Sequence, residues 1–282
     1  MCGINGFTWQ DGALIQAMND VTKYRGPDDR GIYVDENISL GHTRLSIIDL
    51  SSDGHQPMSN EDDTIWITYN GEIYNFQEIR ENLPKAGHFF KSKTDTEVII
   101  HAYEMYGLNC MNKFNGMWAF GIYDKNEETL ILSRDRYGIK PLYYYVDEER
   151  LTFSSMITGI LSHQIEIVPN DRAIMEYLAF NLEQHDTYTF FENVNSLAPG
   201  HLLIYNLKTK KHRVQRWYTP ESREIKNSDT LKNYFTNSVK LRAISDVPVG
   251  VCLSGGIDST AITCTLDKYF TNTFNTYSLI VP

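Results

Sequence analysis

The sequence predicts an α+β fold in which two stacked sheets carry helices on their outer faces, followed by the beginning of an α/β domain. In the first part, strand patterns run with helices grouped between them, which alternating βαβ units would not produce. After a polar stretch at residues 218–227, helix and strand patterns alternate, as a parallel sheet requires. We therefore expect two domains, residues 1–217 and residues 228–282. We expect the second to be incomplete, because a parallel sheet needs several βαβ units to bury both faces and about one fits here.

Local patterns justify the elements of the first domain. Residues 2–9 are small and apolar and predict a strand. Apolar residues then recur at helical spacing from Leu14 to Val21, which predicts a short amphipathic helix. The β-branched and aromatic segment Thr64–Tyr69 predicts a strand that breaks at the turn-like pair Asn70-Gly71. Further strands are predicted at 31–34, 38–48, 201–206 and 213–217. Three more strands, at 116–123, 129–135 and 142–146, are predicted to form a second, meandering sheet. Further helices are predicted at 76–83, 95–106, 155–162 and 171–180.

The second domain begins with a helix that Ser228 is expected to cap and that ends near Ile244. The apolar run Val247–Leu253 predicts a fully buried strand. A loop at Ser254–Ser259 leads into a helix that reaches residue 269, and residues 274–280 predict another strand.

Composition and charge limit the classes of function. The chain has 282 residues, 41% of them hydrophobic and 22% charged, so it is long and apolar enough to form a globular core. Its net charge of −10 argues against binding nucleic acid or an anionic membrane through a general basic field. We therefore expect small-molecule substrates, with neither nucleic acid nor a membrane as partner.

The cysteines and the N-terminal segment indicate a cytoplasmic protein. The four cysteines show no paired spacing of the kind used by zinc sites or redox motifs, so reduced thiols are the simplest interpretation. The first twenty residues lack a basic start and a continuous apolar run, and Asp11 and Asp20 interrupt them, so we expect no signal peptide. No apolar run is long enough to cross a bilayer.

Cys2 is the first candidate catalytic residue. A methionine aminopeptidase removes Met1 only when the next side chain is small, and the processed chain would then begin with a thiol beside a free α-amine. The amine can serve as the base that the thiol needs, since it titrates near pH 7.7–8.0. A lone cysteine is more often an inert, buried hydrophobe, so Cys2 needs support from other residues.

Three further positions match the chemistry of attack on an amide. The Asn70 side-chain amide and the Gly71 backbone N–H could together hold an oxyanion, although Asn-Gly after a strand is also typical of a hairpin turn. Arg44 could bind a carboxylate with both arms of its guanidinium, although a strand arginine is more often a surface charge. Asp95 could hold an ammonium group or simply begin a helix. Together they would suit a free α-amino acid.

The loop after the predicted strand Val247–Leu253 is a second candidate site. In Ser254-Gly255-Gly256-Ile257-Asp258-Ser259, small residues let backbone N–H groups approach an anion at a helix N-terminus. An ordinary strand-to-helix turn would have the same composition. The loop is not a Walker A motif, since no Gly-Lys-Ser/Thr follows.

Several short stretches occur along the chain in a specific order: Met1–Ile4, Arg25–Asp28, His42–Ile47, Tyr69–Asn75, Asp95, Gly116–Phe120 and Arg134–Tyr143. Each stretch is a weak signal alone, but their combination in this order is specific. With them, the chain resembles the class II glutamine amidotransferases of the asparagine synthetase type over essentially its whole length. The stretch Ser245–Ser259 is similar to the pyrophosphate loop of N-type ATP pyrophosphatases.

The resemblance implies a four-layer αββα N-terminal-nucleophile hydrolase domain followed by the beginning of an ATP-pyrophosphatase domain. It also implies residue roles: Cys2 as nucleophile, Asn70 and Gly71 as oxyanion hole, Arg44, Ile47, Ile48, Glu72 and Asp95 as glutamine-binding residues, and Leu253, Ser254, Gly255, Gly256, Asp258 and Ser259 as ATP-binding residues. No protein ligand for a metal is predicted.

The implied activity is that of a glutamine-dependent asparagine synthetase. Glutamine hydrolysis at Cys2 would supply ammonia for the ATP- and Mg²⁺-dependent amidation of aspartate through an acyl-adenylate. The alternatives are an amidotransferase for another carboxylate, such as a sugar acid, a chain that is a glutaminase alone, and a regulatory protein that binds without turnover. The sequence does not identify the acceptor, and a homodimer is left open.

Overall fold

The computed structural model describes residues 1–83, 88–163, 165–183, 185–222, 224–225, 227–270 and 273–280. The chain divides into two units between Thr219 and Pro220. The strands of the first unit are β1 (Gly3–Phe7), β2 (Asp29–Val34), β3 (Ser39–Arg44), β4 (Met58–Ser59), β5 (Ile65–Ile73), β6 (Gly116–Asp124), β7 (Thr129–Arg134), β8 (Tyr143–Val146), β9 (Leu151–Ser154), β10 (Val194–Ser196), β11 (His201–Asn206) and β12 (Lys211–Arg216). Its helices are α1 (Gly12–Thr22), α2 (Phe76–Asn82), α3 (Asp95–Tyr106), α4 (Ile157–Ile160) and α5 (Asp171–Phe180).

Two six-stranded antiparallel sheets form the centre of the first unit. The first sheet has the order β10-β8-β9-β1-β3-β2, and the second has the order β12-β11-β7-β6-β5-β4. Helices α1 and α4 pack on the first sheet, while α3 packs on the second and against α2. This arrangement confirms the predicted α+β fold and its four layers.

Alternating apolar side chains from both sheets meet in one core, as expected when two sheets stack face to face. Ile4 and Leu40 project from the first sheet, and Leu132 and Leu203 project from the second. Each of these four is fully buried. A smaller cluster of Phe7, Ile15 and Met18 seals α1 onto the outer face of the first sheet.

Two polar contacts join the sheets next to the candidate site. Burial lowers the pKa of His42 to about 4, so the ring is neutral at pH 7. Its Nε2 lies 3.0 Å from the Tyr69 carbonyl oxygen and therefore carries the ring proton. Beside it, the Thr68 hydroxyl donates to the Gly41 carbonyl oxygen at 3.0 Å. These contacts hold β3 against β5, and both strands continue from there into the site.

The structure corrects two predictions about the first unit. Asn70-Gly71 is not a turn, because β5 continues through it to Ile73 and pairs with β6 along its whole length. Gly71 instead allows β5 and β6 to approach closely, since a Cβ at that position would lie 2.3 Å from the Met117 carbonyl oxygen. The predicted strand at 142–146 belongs to the first sheet and not to the second, because the chain crosses between sheets after β7 and β8 pairs with β9 and β10.

The second unit contains α6 (Ser228–Arg242), β13 (Gly250–Cys252), α7 (Ile257–Tyr269) and β14 (Asn275–Tyr277), with β13 and β14 parallel. Asn227, and not Ser228, caps α6, because its side chain accepts the Thr230 N–H. The prediction of a fully buried strand was also wrong. In β13 only Val251 is buried, packed with Val239 and Leu266, while its two neighbours are exposed. No helix among the described residues is both long and apolar enough to span a membrane.

Candidate active site

A cleft of about 300 Å³ opens where β1, β3 and β5 meet the start of α3. Several separated segments of the chain contribute to its walls. The eight residues that the sequence predicted for glutamine hydrolysis all line it: Cys2, Arg44, Ile47, Ile48, Asn70, Gly71, Glu72 and Asp95.

The Cys2 thiol lies at the entry to β1. The backbone N–H of Leu45 donates to its Sγ at 3.3 Å, and Arg25 Nε donates to the Cys2 carbonyl oxygen at 2.9 Å. Burial raises the pKa of the thiol, and this effect exceeds the opposing ones of the Leu45 N–H, the N-terminal ammonium and Lys140. The thiol is therefore held in place, but it needs a base to react at neutral pH.

The Arg44 guanidinium is buried and braced by the loop that follows β3. Its Nη1 donates to the Ser51 carbonyl oxygen at 2.8 Å, and its Nη2 donates to those of Ile48, at 3.4 Å, and Asp49. A Cβ on Gly54 would lie 1.9 Å from Nη2, so the guanidinium requires glycine there. These hydrogen-bond partners are neutral carbonyl oxygens, and the Arg44 charge also interacts with the Asp49 carboxylate. Because Arg44 lines the cleft, its charge can act on an anion there as well.

Asn70 supplies a buried donor. Its side chain is 1% exposed, and its Nδ2 has no hydrogen-bond partner among the described residues. A buried, unsatisfied N–H costs about 1–3 kcal/mol, so its retention calls for an explanation. A ligand oxygen in the cleft would supply the missing acceptor.

The backbone of β5 presents the Gly71 N–H at the same place. On this edge of β5, Gln56 Oε1 accepts the Tyr69 N–H at 2.8 Å and Asp95 Oδ2 accepts the Ile73 N–H at 2.9 Å. Alternate N–H groups of a strand point to the same edge, so the Gly71 N–H lies between these two and faces away from β6. β4 pairs only with Ile67 and Trp66 and does not reach it.

The Asp95 carboxylate lies at the first turn of α3, which Thr94 caps by accepting the Glu97 N–H. Its Oδ2 accepts the Tyr69 hydroxyl at 2.7 Å. Burial raises the pKa of Asp95, although the Ile73 N–H and the Tyr69 hydroxyl partly oppose this. A cationic ligand group would offset that burial and favour the charged carboxylate.

Lys140 also lines the cleft, and the sequence analysis assigned it no role. Burial lowers the pKa of its ammonium group, whereas the Cys2 thiol opposes the change. A tight loop positions it: Arg134 Nε donates to the Lys140 carbonyl oxygen at 2.8 Å, and Asp135 Oδ2 accepts the Lys140 N–H at 3.0 Å. Gly138 takes the left-handed φ of +66° that this turn requires. The signal in the sequence that could have identified Lys140 was its position as a lone basic residue between Ile139 and Pro141.

In the second unit, the predicted loop has the predicted strand–loop–helix context. Ser254 and Ser259 cross-link it, because the Ser254 N–H donates to Ser259 Oγ at 3.2 Å. Gly255 has a φ of +81°, and Gly256 is the N-cap of α7. The remaining predicted residues are Leu253, which follows β13, and Asp258, which lies in the first turn of α7.

Comparison with known proteins gives matches along both units. The family model described as "Glutamine amidotransferase domain" matches residues 1–218, and the model described as "Asparagine synthase" matches residues 230–281. A solved structure titled as a glutamine phosphoribosylpyrophosphate amidotransferase from Bacillus subtilis shares the fold, with a TM-score of 0.57 at 16% identity. That match covers 98% of this chain and 65% of the other.

Curated relatives point to the same family. The chain is 35% identical to asparagine synthetase [glutamine-hydrolyzing] 1 of Bacillus subtilis, over 99% of this chain and 46% of that protein. It is 39% identical to a similarly named protein of Methanocaldococcus jannaschii, over 93% of this chain and 56% of that protein. The chain thus spans about half the length of these relatives. The match over residues 1–218 shows that this chain belongs to the glutamine amidotransferase domain family.

Proposed function

We propose that the first unit, residues 1–217, hydrolyses glutamine to glutamate and ammonia at Cys2. The observation that carries this proposal is the convergence, in one cleft, of a thiol, a buried arginine and an Asn70 amide donor that lacks a partner among the described residues. The nucleophile, the carboxylate-binding group and the oxyanion donor required for this reaction are thereby close together.

The reaction would proceed through a thioester. Removal of Met1 would leave the α-amine on Cys2, where it can take the thiol proton as the sulfur attacks the γ-carboxamide carbon. The Asn70 Nδ2 and the Gly71 N–H would hold the oxyanion of the tetrahedral intermediate. When the C–N bond breaks, the ammonium returns a proton to the leaving nitrogen and ammonia departs. Water then attacks the thioester, which releases glutamate and restores the thiol.

Charge complementarity would orient the substrate. Arg44 would hold the α-carboxylate of glutamine, with the backbone around Ile47 and Ile48 as a further contact. Asp95 and Glu72 would hold its α-ammonium group. A free amino acid carries both charges, so this pairing supports glutamine itself over a neutral amide or a peptide side chain as the substrate.

Replacing Arg44 with alanine is expected to raise KM for glutamine roughly 10- to 100-fold, since a charge-assisted contact contributes about 1.5–3 kcal/mol. The effect on kcat should be smaller, because the carboxylate is bound equally in ground and transition states. Arg44→Lys should have a KM between those of the wild type and Arg44→Ala, because lysine keeps the charge but loses the two-armed contact. Arg30→Ala, which removes an exposed arginine of β2, serves as the control. An unchanged KM in folded Arg44→Ala would exclude this role.

Lys140→Met is expected to move the acid limb of the pH–activity profile to higher pH. Burial is the largest influence on both groups: it raises the pKa of the Cys2 thiol and lowers the pKa of the N-terminal amine, here on Met1. The positive charge of Lys140 lowers the pKa of both. Without that charge both groups hold their protons to higher pH, so activity should fall severalfold below about pH 7 and recover in alkali. Lys140→Arg keeps the positive charge, so the acid limb of its pH–activity profile should stay at the wild-type pH. A folded Lys140→Met with an unmoved limb would contradict the argument.

We further propose that residues 228–282 form the N-terminal part of a synthetase domain that binds ATP. The support is the loop from Leu253 to Ser259, with Gly255 in a left-handed conformation and Gly256 at the helix N-terminus, which suits a phosphate group. ATP would activate the acceptor carboxylate, with aspartate as the proposed acceptor and a sugar acid as the alternative. Mg²⁺ would enter with the phosphates, and Asp258 is the carboxylate that this loop offers. A cytoplasmic location is also proposed.

The direct test is incubation of the purified chain with glutamine, followed by measurement of glutamate and ammonia. Equal amounts of the two products would support glutaminase activity, whereas glutamine binding without turnover would support a regulatory protein instead. A second experiment adds ATP, Mg²⁺ and aspartate, or another carboxylate in place of aspartate. Formation of AMP tests whether the second unit uses ATP, and identification of the amide product shows which carboxylate is the acceptor.

A further inference from the structure

A cluster of two histidines and a glutamate lies at α3 and the segment before it, and none of the three residues lines the cleft. The Nδ1 atoms of His88 and His101 are 3.2 Å apart, and Glu104 Oε2 lies 3.3 Å from the first and 2.8 Å from the second. His101 and Glu104 share one face of the helix, and His88 comes from the segment that precedes it. Three potential ligand atoms therefore form a triangle with sides near 3 Å.

Two of the three ways of placing protons on this triangle produce a clash. If both imidazoles donate from Nδ1 to the Glu104 carboxylate, the two N–H groups confront each other at 3.2 Å. If His88 donates instead to His101, the bare Nδ1 of His101 faces a carboxylate oxygen at 2.8 Å, and two lone pairs meet. In the third, His101 donates from Nδ1 to Glu104 at 2.8 Å, and the bare Nδ1 of His88 lies 3.2 Å from that donor and 3.3 Å from the carboxylate oxygen. A cation at the centre would let all three lone pairs point to the same place.

The dimensions match a tetrahedral metal ion. Zinc binds imidazole nitrogen and carboxylate oxygen at about 2.0–2.2 Å, which places neighbouring ligand atoms about 3.3 Å apart. Two imidazoles and one carboxylate favour zinc and similar late transition metals over Mg²⁺ or Ca²⁺, which prefer oxygen ligands.

The surroundings also suit a cation. The His101 side chain is 2% exposed, and those of His88 and Glu104 are 18% and 21% exposed, so the cluster is shielded but reachable. Asn60 Nδ2 donates to the other oxygen of Glu104 at 2.9 Å and fixes the carboxylate. On the far side of the His101 ring, carboxylate oxygens of Glu61 and Glu97 lie 3.9 and 4.0 Å from Nε2. These distances are too long for hydrogen bonds, but the two negative charges favour a cation nearby.

We propose that His88, His101 and Glu104 bind one divalent transition-metal ion of the zinc class, with water at the fourth position. The ion would tie the segment beginning at His88 to α3. This segment reaches the cleft, because the Lys93 N–H donates to Asp49 Oδ2 at 2.7 Å in the loop that braces Arg44. The site is thus structural, and it requires no part of the glutaminase proposal.

The test is zinc binding by the full chain after removal of metals with a chelator. Equilibrium dialysis against Zn²⁺ and elemental analysis should give one tightly held ion per chain, and zinc should raise the melting temperature. His88→Ala and Glu104→Gln should each weaken binding by more than about tenfold. His201→Ala, which removes a half-buried histidine of β11, and Cys252→Ala, which removes an exposed thiol, should bind as the wild type does.

Cobalt provides a second measurement, because Co²⁺ at a tetrahedral site absorbs visible light and its spectrum distinguishes nitrogen and oxygen ligands from thiolates. We expect a spectrum without thiolate charge-transfer bands. Failure of the wild-type chain to bind one equivalent would overturn the proposal. So would zinc binding that survives both His88→Ala and Glu104→Gln, since the ion would then be held by other residues. Glu104→Gln keeps the side-chain size, so it decides the question if His88→Ala does not fold.

Discussion

Cys2→Ala is expected to abolish glutamine hydrolysis, with kcat reduced by more than about 10⁴-fold, because no other described residue that lines the cleft carries a thiol to form the thioester. The fold should persist, since the Cys2 side chain is at the edge of the core and the neighbouring β1 pairing is between backbone atoms. Glutamate release is measured by an enzyme-coupled assay, and circular dichroism checks the fold. Cys264→Ala, which removes an exposed thiol of α7, is the matched control and should retain full activity.

A blocked N-terminus should be nearly as damaging as loss of the thiol. A non-cleavable extension before Cys2 converts the α-amine to an amide, which cannot accept a proton, while leaving the sulfur unchanged. Burial already lowers the pKa of the N-terminal ammonium, here on Met1, although the Cys2 thiol opposes this, so a free amine at this place suits a base. Full activity of the extended chain would show that another group removes the thiol proton.

Asn70→Ala is expected to lower kcat about 10²- to 10³-fold, the usual cost of about 2.7–4 kcal/mol for losing one oxyanion donor. KM should change little, because this donor matters most when charge develops on the oxygen. The melting temperature of Asn70→Ala should fall less than it does when a hydrogen-bonded buried polar side chain is removed. The Asn70 Nδ2 has no partner among the described residues, so its removal relieves an unsatisfied donor.

Asn75→Ala is the control, because the Asn75 side chain has hydrogen-bond partners where the Asn70 donor has none among the described residues. Asn75 donates to the Lys113 carbonyl oxygen at 3.0 Å and accepts the Asn115 N–H at 2.8 Å, so its loss should lower the melting temperature while leaving kcat near the wild-type value. If Asn70→Ala destabilised the protein as much as Asn75→Ala and left kcat unchanged, Asn70 would be a structural residue and the proposed oxyanion hole would be wrong.

The sequence predicted the residues of the cleft better than it predicted the paths of the strands. Cys2, Arg44, Asn70 and Asp95 could be chosen because each carries a chemical group that amide hydrolysis of an amino acid requires. That they lie together depends on sheet pairing, which brings β1 to β3 in one sheet and stacks β3 on β5 of the other. Only the family resemblance supplied this non-local information.

The errors have local causes. Asn70-Gly71 matches a turn, but a glycine can equally permit close approach of a neighbouring strand, and composition does not distinguish the two. The strand at 142–146 contains three consecutive tyrosines, a residue type that favours strands, whereas its pairing partner depends on where the chain crosses between sheets. Lys140 was missed because its place in the cleft depends on a loop, in which Arg134 donates to its carbonyl oxygen and Asp135 accepts its N–H, and a linear pattern does not reveal these contacts.

The central claim is that glutamine hydrolysis passes through a thioester on Cys2. The most direct test is to mix the purified chain with glutamine, quench with acid within one turnover, and determine the intact mass and the modified peptide by mass spectrometry. The account predicts a single glutamyl adduct on the N-terminal peptide, sensitive to hydroxylamine, absent from Cys2→Ala and enriched when water attack is slowed. Glutamate release with no adduct at Cys2, or an adduct at Cys110, Cys252 or Cys264, would contradict it.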